Sequence, residues 1–368
     1  MKNAAVAHHI PSLDGLRCVA IVPVFLSHTL MTVRLPNFIP GNFGVTLFFF
    51  LSGYLITTLL RMEIERTGSV NFKLFYLRRA LRILPTSYLV LALAAAYGLA
   101  VGATDAWWLL GQFLHLTNFQ VIAGGWEAPI APHTSIYWSL AVEEHFYLAF
   151  PVLFVALAKL RSKFHRAALV LGLCALVFLW RCWLIWGAGV SFDRTYVGTD
   201  TRIDSILFGC ALAMWGNPAL DGTRFSESSW KRVFLPLSVL GILLSYAVPD
   251  RAFRETVAYT AQGLCLFSVF IVAVRYPDWG PMRLLNWRWV SWLGTLSFAI
   301  YLIHPSMLAI TQWAVGSSLW LLLPTAVIVT VAVAAAMVRW VELPVLRLRK
   351  RLRVFAPPEP APAPAAVG

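Results

Sequence analysis

FYLRRALRILPTSYLVLALAAAYGLAVG, residues 75–102, begins with Arg78, Arg79 and Arg82 and then runs from 83 to 102 without a single charged side chain. A helix rises about 1.5 Å per residue, so an apolar run of this length covers the roughly 30 Å hydrocarbon core of a bilayer. The stretch reads as a transmembrane helix with a basic collar at its entry. The same pattern recurs along the chain at 15 to 34, 43 to 61, 137 to 158, 167 to 187, 202 to 216, 232 to 248, 257 to 274, 295 to 315 and 318 to 340, with 202 to 216 the weakest run. Residues 107 to 122 are also apolar but short, carry Gln112, His115 and Asn118, and begin with Trp107 and Trp108. An interfacial or re-entrant helix fits them better.

Composition agrees. With 59% hydrophobic and 13% charged residues and a mean hydropathy of +0.71, the 368-residue chain carries more apolar side chain than a water-soluble globule can bury. The fold class is therefore all-α integral membrane, with about ten transmembrane helices. A net charge of +13 suggests nucleic acid at first, but the basic residues alternate with the spans and form no continuous patch. They act as topology signals. Placing the N-terminus in the cytoplasm leaves only Arg34, Arg194, Arg251 and Arg254 on the outer side, and the long outer loop 103 to 136 has no basic residue. Both termini are then expected inside.

The organisation that follows is an N-terminal cytoplasmic tail (1–10), one membrane domain (11–342) and a basic, then Pro/Ala-rich cytoplasmic tail (343–368) expected to be largely disordered. The first apolar run has no small-residue cleavage site and contains Arg17 and His28, so it is expected to stay attached. Cys18, Cys174, Cys182, Cys210 and Cys265 all fall in apolar segments and read as packing residues, with no disulfide and no metal expected. No phosphate-binding glycine loop, zinc-ligand spacing or serine elbow is present.

An unpaired ionisable group in a bilayer costs several kcal/mol, so each one inside a span marks a candidate site. Arg17 and His28 lie eleven residues apart, on one face of the first span and about 16 Å apart along it. A cation near the inner mouth and an imidazole deeper in suit a long anionic molecule whose reactive end is far from its phosphates. The structural alternative pairs Arg17 with Asp14. Glu143 on the fourth span reaches a depth similar to that of His28 and could orient its ring, as a carboxylate does in a hydrolytic triad. His304 reaches the same middle depth, and Arg202 and Asp204 cap the outer half, where a local i, i+2 pairing is the alternative. Glu144 and His145 face away from Glu143. Gly44, Ser52 and Gly53 allow close helix approach. Arg79 and Arg82, at i and i+3, share a face suited to phosphate oxygens, with anchoring to anionic lipid as the competing explanation.

Five stretches in order, SLDGLRCVAIVPVFLSH (12–28), FGVTLFFFLSGYLIT (43–57), FYLRRALRILP (75–85), YWSLAVEEHFYLAFP (137–151) and LSFAIYLIHPSM (296–307), resemble the acyltransferase 3 family of bacterial membrane O-acyltransferases. The resemblance spans about 11 to 342 and departs little from the family pattern, Cys18 apart. It implies acetyl-CoA or another acyl-CoA as donor on the cytoplasmic side and a hydroxyl-bearing glycan, glycolipid or macrolide as acceptor. It also implies a multi-pass protein of the bacterial inner membrane, in the stand-alone form without an appended esterase-like domain. It implies His28 as catalytic residue, supported by Arg17 and Glu143, and Arg79 with Arg82 and Arg78 on the CoA phosphates. Arg202, Asp204, His304, Tyr301, Glu144 and Ser52 match an outer-half polar cluster that meets the substrate. The rival expectation is a proton-coupled transporter or flippase of a lipid-linked sugar or metabolite, which inverted repeats and broken helices would favour and which uses the same buried charges.

Overall fold

The computed structural model describes residues 10–36 and 38–351, and these form helices and connections with no strand. In order they are α1 (Pro11–Thr32), α2 (Gly41–Thr67), α3 (Phe72–Ala100), α4 (Ala106–Phe113), α5 (Thr117–Gly124), α6 (Tyr137–Ala158), α7 (Lys163–Cys182), α8 (Phe192–Val197) and α9 (Thr199–Met214). They continue with α10 (Glu227–Ser229), α11 (Leu235–Ala247), α12 (Arg251–Glu255), α13 (Val257–Arg275), α14 (Met282–Leu285), α15 (Arg288–Val315), α16 (Leu319–Met337) and α17 (Leu343–Arg351). Wider π-type turns extend α7, join α10 to α11 and join α16 to α17.

Among the described residues nine continuous helical runs are long and apolar enough to cross a membrane. Large apolar side chains such as Leu93, Leu148, Leu176 and Leu243 point outward and are exposed. That surface is stable only against lipid. Exposed Trp320 and Trp340 lie twenty residues apart on the last long run, about 30 Å along a helix, the separation of two membrane interfaces. The weakest expected span, 202 to 216, is α9. It is only 16 residues long, and its residues from Ser205 to Met214 are all buried by protein. Its modest hydropathy reflects a helix that meets other helices rather than lipid. The segment 107 to 122 breaks into α4 and α5 at His115, which adopts a left-handed backbone with φ 57°. Of the expected tails, residues 1–9 and 352–368 lie outside the described residues, while 343–351 is helical as α17.

The packing around α9 explains the glycines. A Cβ on Gly53 would stand 1.9 Å from the Ile206 carbonyl oxygen, and one on Gly209 would stand 2.1 Å from that of Phe50. α2 and α9 therefore touch backbone to backbone, as small residues permit in membranes. Gly44 meets the Ala20 carbonyl of α1 at 2.2 Å in the same way, and Gly294 of α15 that of Asp14 at 1.8 Å. Backbone cannot yield as a flexible side chain does. Gly209→Ala is thus expected to cost about 1–3 kcal/mol through overpacking. Gly172→Ala on α7, where a Cβ meets open space, should be neutral or slightly stabilising. Thermal unfolding of the two variants in detergent checks this, and equal midpoints would contradict the tight α2–α9 contact.

A charged lock marks one end of the bundle. Arg61 at the end of α2 donates two hydrogen bonds of 2.9 Å to Asp221, which also pairs with Lys163 at 3.2 Å and accepts Arg275 on its main-chain oxygen. Burial alone would raise the Asp221 carboxyl, but Arg61 and Lys163 outweigh it and hold it at about 2. The ends of α2, α9 and α13 and the start of α7 are thereby gathered at this basic end. At the same end Ser12 of α1 bonds Asn286 just ahead of α15, and at the other end Gln312 of α15 bonds the Thr32 carbonyl of α1. α1 and α15 thus run side by side in the same direction.

Candidate active site

α1, α2, α3, α6 and α15 enclose a cavity of about 1080 Å³, counting its open mouth. Its walls are largely apolar, from Val45, Phe48, Leu55, Leu140 and Leu302 among others, and its polar lining is unequal in charge. Arg17, Arg79 and Arg82 face one carboxylate, Glu143. Arg17 is ion-paired with Asp14 one turn earlier, so the structural reading of that residue and its place in the cavity both hold. Arg82 makes no hydrogen bond or ion pair among the described residues. Glu342 accepts a hydrogen bond from Thr86 at 3.4 Å. The cavity lining is thus mostly apolar, with three cationic side chains to one carboxylate.

Glu143 stands where the arginines need it. Ser52 donates to its Oε1 at 2.9 Å, Tyr147 donates to its Oε2 at 2.9 Å, and the Arg79 guanidinium lies 3.8 Å from Oε2. The same guanidinium lies flat over the Tyr147 ring, 3.6 Å from its centroid. Glu143 therefore does not orient His28. The expectation from matching depths fails because depth along a helix says nothing of azimuth, and this face of α6 points at α2 and α3. Ser139, Glu143 and Tyr147 recur every four residues and so share that face. The spacing is visible in the sequence, but Ser139 and Tyr147 carry no charge that would mark them as partners of Glu143. Arg78 also departs from expectation. It pairs with Glu63 at 2.8 Å and does not line the cavity, because one residue along a helix is a 100° turn away from Arg79.

His28 and His304 come together. Their rings meet edge to face with centroids 4.8 Å apart. His28 Nδ1 lies 2.9 Å from the Val24 carbonyl and His304 Nδ1 lies 2.7 Å from the Tyr301 carbonyl. A carbonyl oxygen only accepts, so in each neutral ring Nδ1 carries the proton and Nε2 keeps its lone pair. The Nε2 of His304 is buried and has no hydrogen-bond partner among the described residues. At 1.5 Å per residue His28 lies about 25 Å along α1 and His304 about 24 Å along α15 from the basic end, against about 10–15 Å for Arg79 and Arg82 on α3. Tyr301, whose ring is 5.7 Å from that of His304, lines the far part of the cavity and hydrogen-bonds Ser139 at 2.6 Å. Neither imidazole lines the cavity; Tyr301 is the lining residue that borders His304, while Arg79 and Arg82 stand nearer the basic end.

The remaining polar residues form separate groups. Asp204 pairs with Arg181 of α7 at 2.7 Å, both fully buried, rather than with Arg202. Arg181 also donates to the Thr201 carbonyl and to Thr260. Arg202, equally buried, lies 3.6 Å over the Tyr259 ring among Phe49, Trp138 and Tyr196, and donates to Thr46 at 3.0 Å. The local i, i+2 pairing fails because the two side chains leave α9 about 200° apart and meet different helices. Glu144 turns away from Glu143, with Oε1 buried and without a partner among the described residues, while His145 meets Thr199 at 2.8 Å and stacks on Phe119.

Fold and site together define a polytopic membrane protein with an arginine-lined cavity, one of whose lining residues, Tyr301, borders the His28–His304 pair. The profile of the acyltransferase 3 family, described as an acyltransferase domain, matches residues 10–339, and the chain belongs to that family. It is 30% identical over 92% of its length to the "Putative peptidoglycan O-acetyltransferase YrhL" of Bacillus subtilis, covering 55% of that protein. It is 29% identical over 82% of its length to the peptidoglycan O-acetyltransferase OatA of Listeria monocytogenes, covering 50% of it. The chain spans about half the length of these curated relatives. No solved structure matches it.

Proposed function

We propose that the chain is an O-acyltransferase of the bacterial plasma membrane that moves an acyl group, acetyl first, from a CoA thioester to a hydroxyl of a cell-envelope glycan. Two relatives are named for peptidoglycan, which makes it the first acceptor to try. The reading that both termini lie in the cytoplasm, with α9 as a tenth and internal crossing, puts the basic end where CoA is available. The observation that carries the proposal is the cavity itself, with Arg17, Arg79 and Arg82 at the basic part and Tyr301 beside His304 at the far part. Arg79 and Arg82 would hold the phosphates and Glu143 would fix Arg79. The apolar walls would take the pantetheine arm and keep water from the thioester.

His28 Nε2 then accepts the proton of the attacking hydroxyl, or attacks the thioester itself and passes the acyl group on. His304 is the neighbour that meets the resulting imidazolium, in place of the carboxylate of a hydrolytic triad. Arg202 and Asp204 belong to the internal framework of the opposite half, beside the acceptor's side of the bundle.

The test is acyl transfer from labelled acetyl-CoA to peptidoglycan fragments by the purified protein in lipid nanodiscs. Each charge-assisted hydrogen bond contributes about 1.5–3 kcal/mol, so Arg79→Ala and Arg82→Ala should each raise the KM for acetyl-CoA roughly 10- to 100-fold. Arg78→Ala, outside the cavity, should change it little. Absence of CoA binding to the parent protein, or indifference of that binding to both cavity arginines, would sink the donor reading.

A further inference from the structure

Between the arginines and the imidazoles stands a triangle of oxygens. Ser139 Oγ and the Tyr301 hydroxyl are 2.6 Å apart, and both lie 3.2 Å from the Ile136 carbonyl oxygen. The three oxygens share two protons, one from each hydroxyl, because the carbonyl only accepts. One hydrogen bond occupies the short edge and the other proton has only a long edge to use. Turning that proton toward the cavity gives up the weaker bond of the set. Tyr301 and Ser139 both line the cavity, and a phenol O–H is intrinsically a stronger hydrogen-bond donor than an alkyl alcohol.

Other cavity hydroxyls have different duties. Ser52 donates to Glu143, well down the cavity toward the arginines, and Ser297, one turn before Tyr301 on α15, offers only an alkyl alcohol. Tyr301 is also the lining side chain whose ring borders His304, which in turn meets His28. α15 carries Tyr301 and His304 at i and i+3, so helix geometry fixes hydroxyl and imidazole relative to each other.

We infer that Tyr301 is a catalytic residue whose O–H donates to the carbonyl oxygen of the donor thioester, stabilising the oxyanion that forms when the nucleophile attacks. The inference rests on the cavity being the donor site. In the direct reaction the acceptor hydroxyl gives its proton to His28 Nε2 while its oxygen bonds the carbonyl carbon. The carbonyl π pair moves onto oxygen, where Tyr301 meets it. Collapse breaks the C–S bond, and the departing thiolate takes the proton back from His28. One acyl-CoA and one alcohol become one ester and one CoA thiol. Attack by His28 itself would place the same oxyanion against the same donor. Ser139 is a positioning residue that holds the phenol until the carbonyl arrives.

Tyr301→Phe keeps the ring against His304 and Phe48 and removes only the hydroxyl. Loss of one oxyanion donor costs about 100- to 1000-fold in kcat, so thiol release from acetyl-CoA by the nanodisc protein should fall by that factor while the KM for acetyl-CoA stays near the parent value. Water and solubilised peptidoglycan serve as acceptors in parallel. Ser139→Ala should lower kcat far less. A Tyr301→Phe enzyme with kcat close to the parent's, a loss confined to KM, or a Ser139→Ala variant as impaired as Tyr301→Phe would each overturn the assignment. A different failure belongs to the donor reading: thiol release missing from the parent, or unaffected by Arg79→Ala and Arg82→Ala, removes the site on which Tyr301 is proposed to act.

Discussion

Replacing His28 by alanine is expected to lower acyl transfer about 100- to 10,000-fold, the range that a positioned general base supplies. The protein should still insert and unfold near the parent's temperature. The ring is held by one hydrogen bond to the backbone of its own helix and by the edge of His304, so its removal strands no buried charge. His28→Asn sharpens the test. An asparagine amide can replace the Nδ1 proton on the Val24 carbonyl but has no counterpart to the Nε2 lone pair. If Nε2 is the reacting atom, asparagine should be as inactive as alanine. Acylated product is measured by mass spectrometry of the acceptor, and substantial transfer by either variant would end the case for His28 as base or acyl carrier. His304→Ala should fall between these variants and the parent, because it removes the neighbour of the imidazolium and leaves the base in place.

The second large effect is on stability. Asp204→Ala is expected to cost about 3–5 kcal/mol, because it leaves the fully buried Arg181 guanidinium without its carboxylate. Two main-chain groups and Thr260 would still bond Arg181, but none carries charge. Replacing both members of the pair by leucine should restore much of the loss, since the desolvation of two charges then disappears from the folded state as well. Thermal unfolding of the detergent-solubilised variants reads this directly. An Asp204→Ala protein as stable as its parent would mean that Arg181 finds solvent or another anion, and that the α7–α9 contact is not held as described. Arg202→Leu should be milder, because its charge rests on the face of the Tyr259 ring and it forms no direct ion pair among the described residues.

These two predictions differ in how far the sequence anticipates them. The 3.6-residue period lets His28 be placed on the face of Arg17, and both belong to α1 as expected. Arg79 and Arg82 share a cavity, as their i, i+3 spacing suggests, while Arg78 is turned to Glu63. The partner of Asp204 was not legible, because Arg181 lies on another helix and no local spacing connects α7 with α9. For the same reason Glu143 was assigned to an imidazole when it serves an arginine, and the His28–His304 contact was inferred only as a common depth.

By itself the sequence determined that the chain is a helical membrane protein, which runs are apolar enough to cross, and which polar side chains share a face of one helix. Length, hydropathy and the 100° step are properties of each segment alone, so no other part of the chain needs to be known. Only the tertiary structure decided how those faces are rotated against one another: Glu143 toward Arg79, Asp204 toward Arg181, Tyr301 toward Ser139, and the short α9 wholly inside the bundle. That rotation is set by where backbones can approach, at Gly44, Gly53, Gly209 and Gly294, and each such contact involves two helices at once.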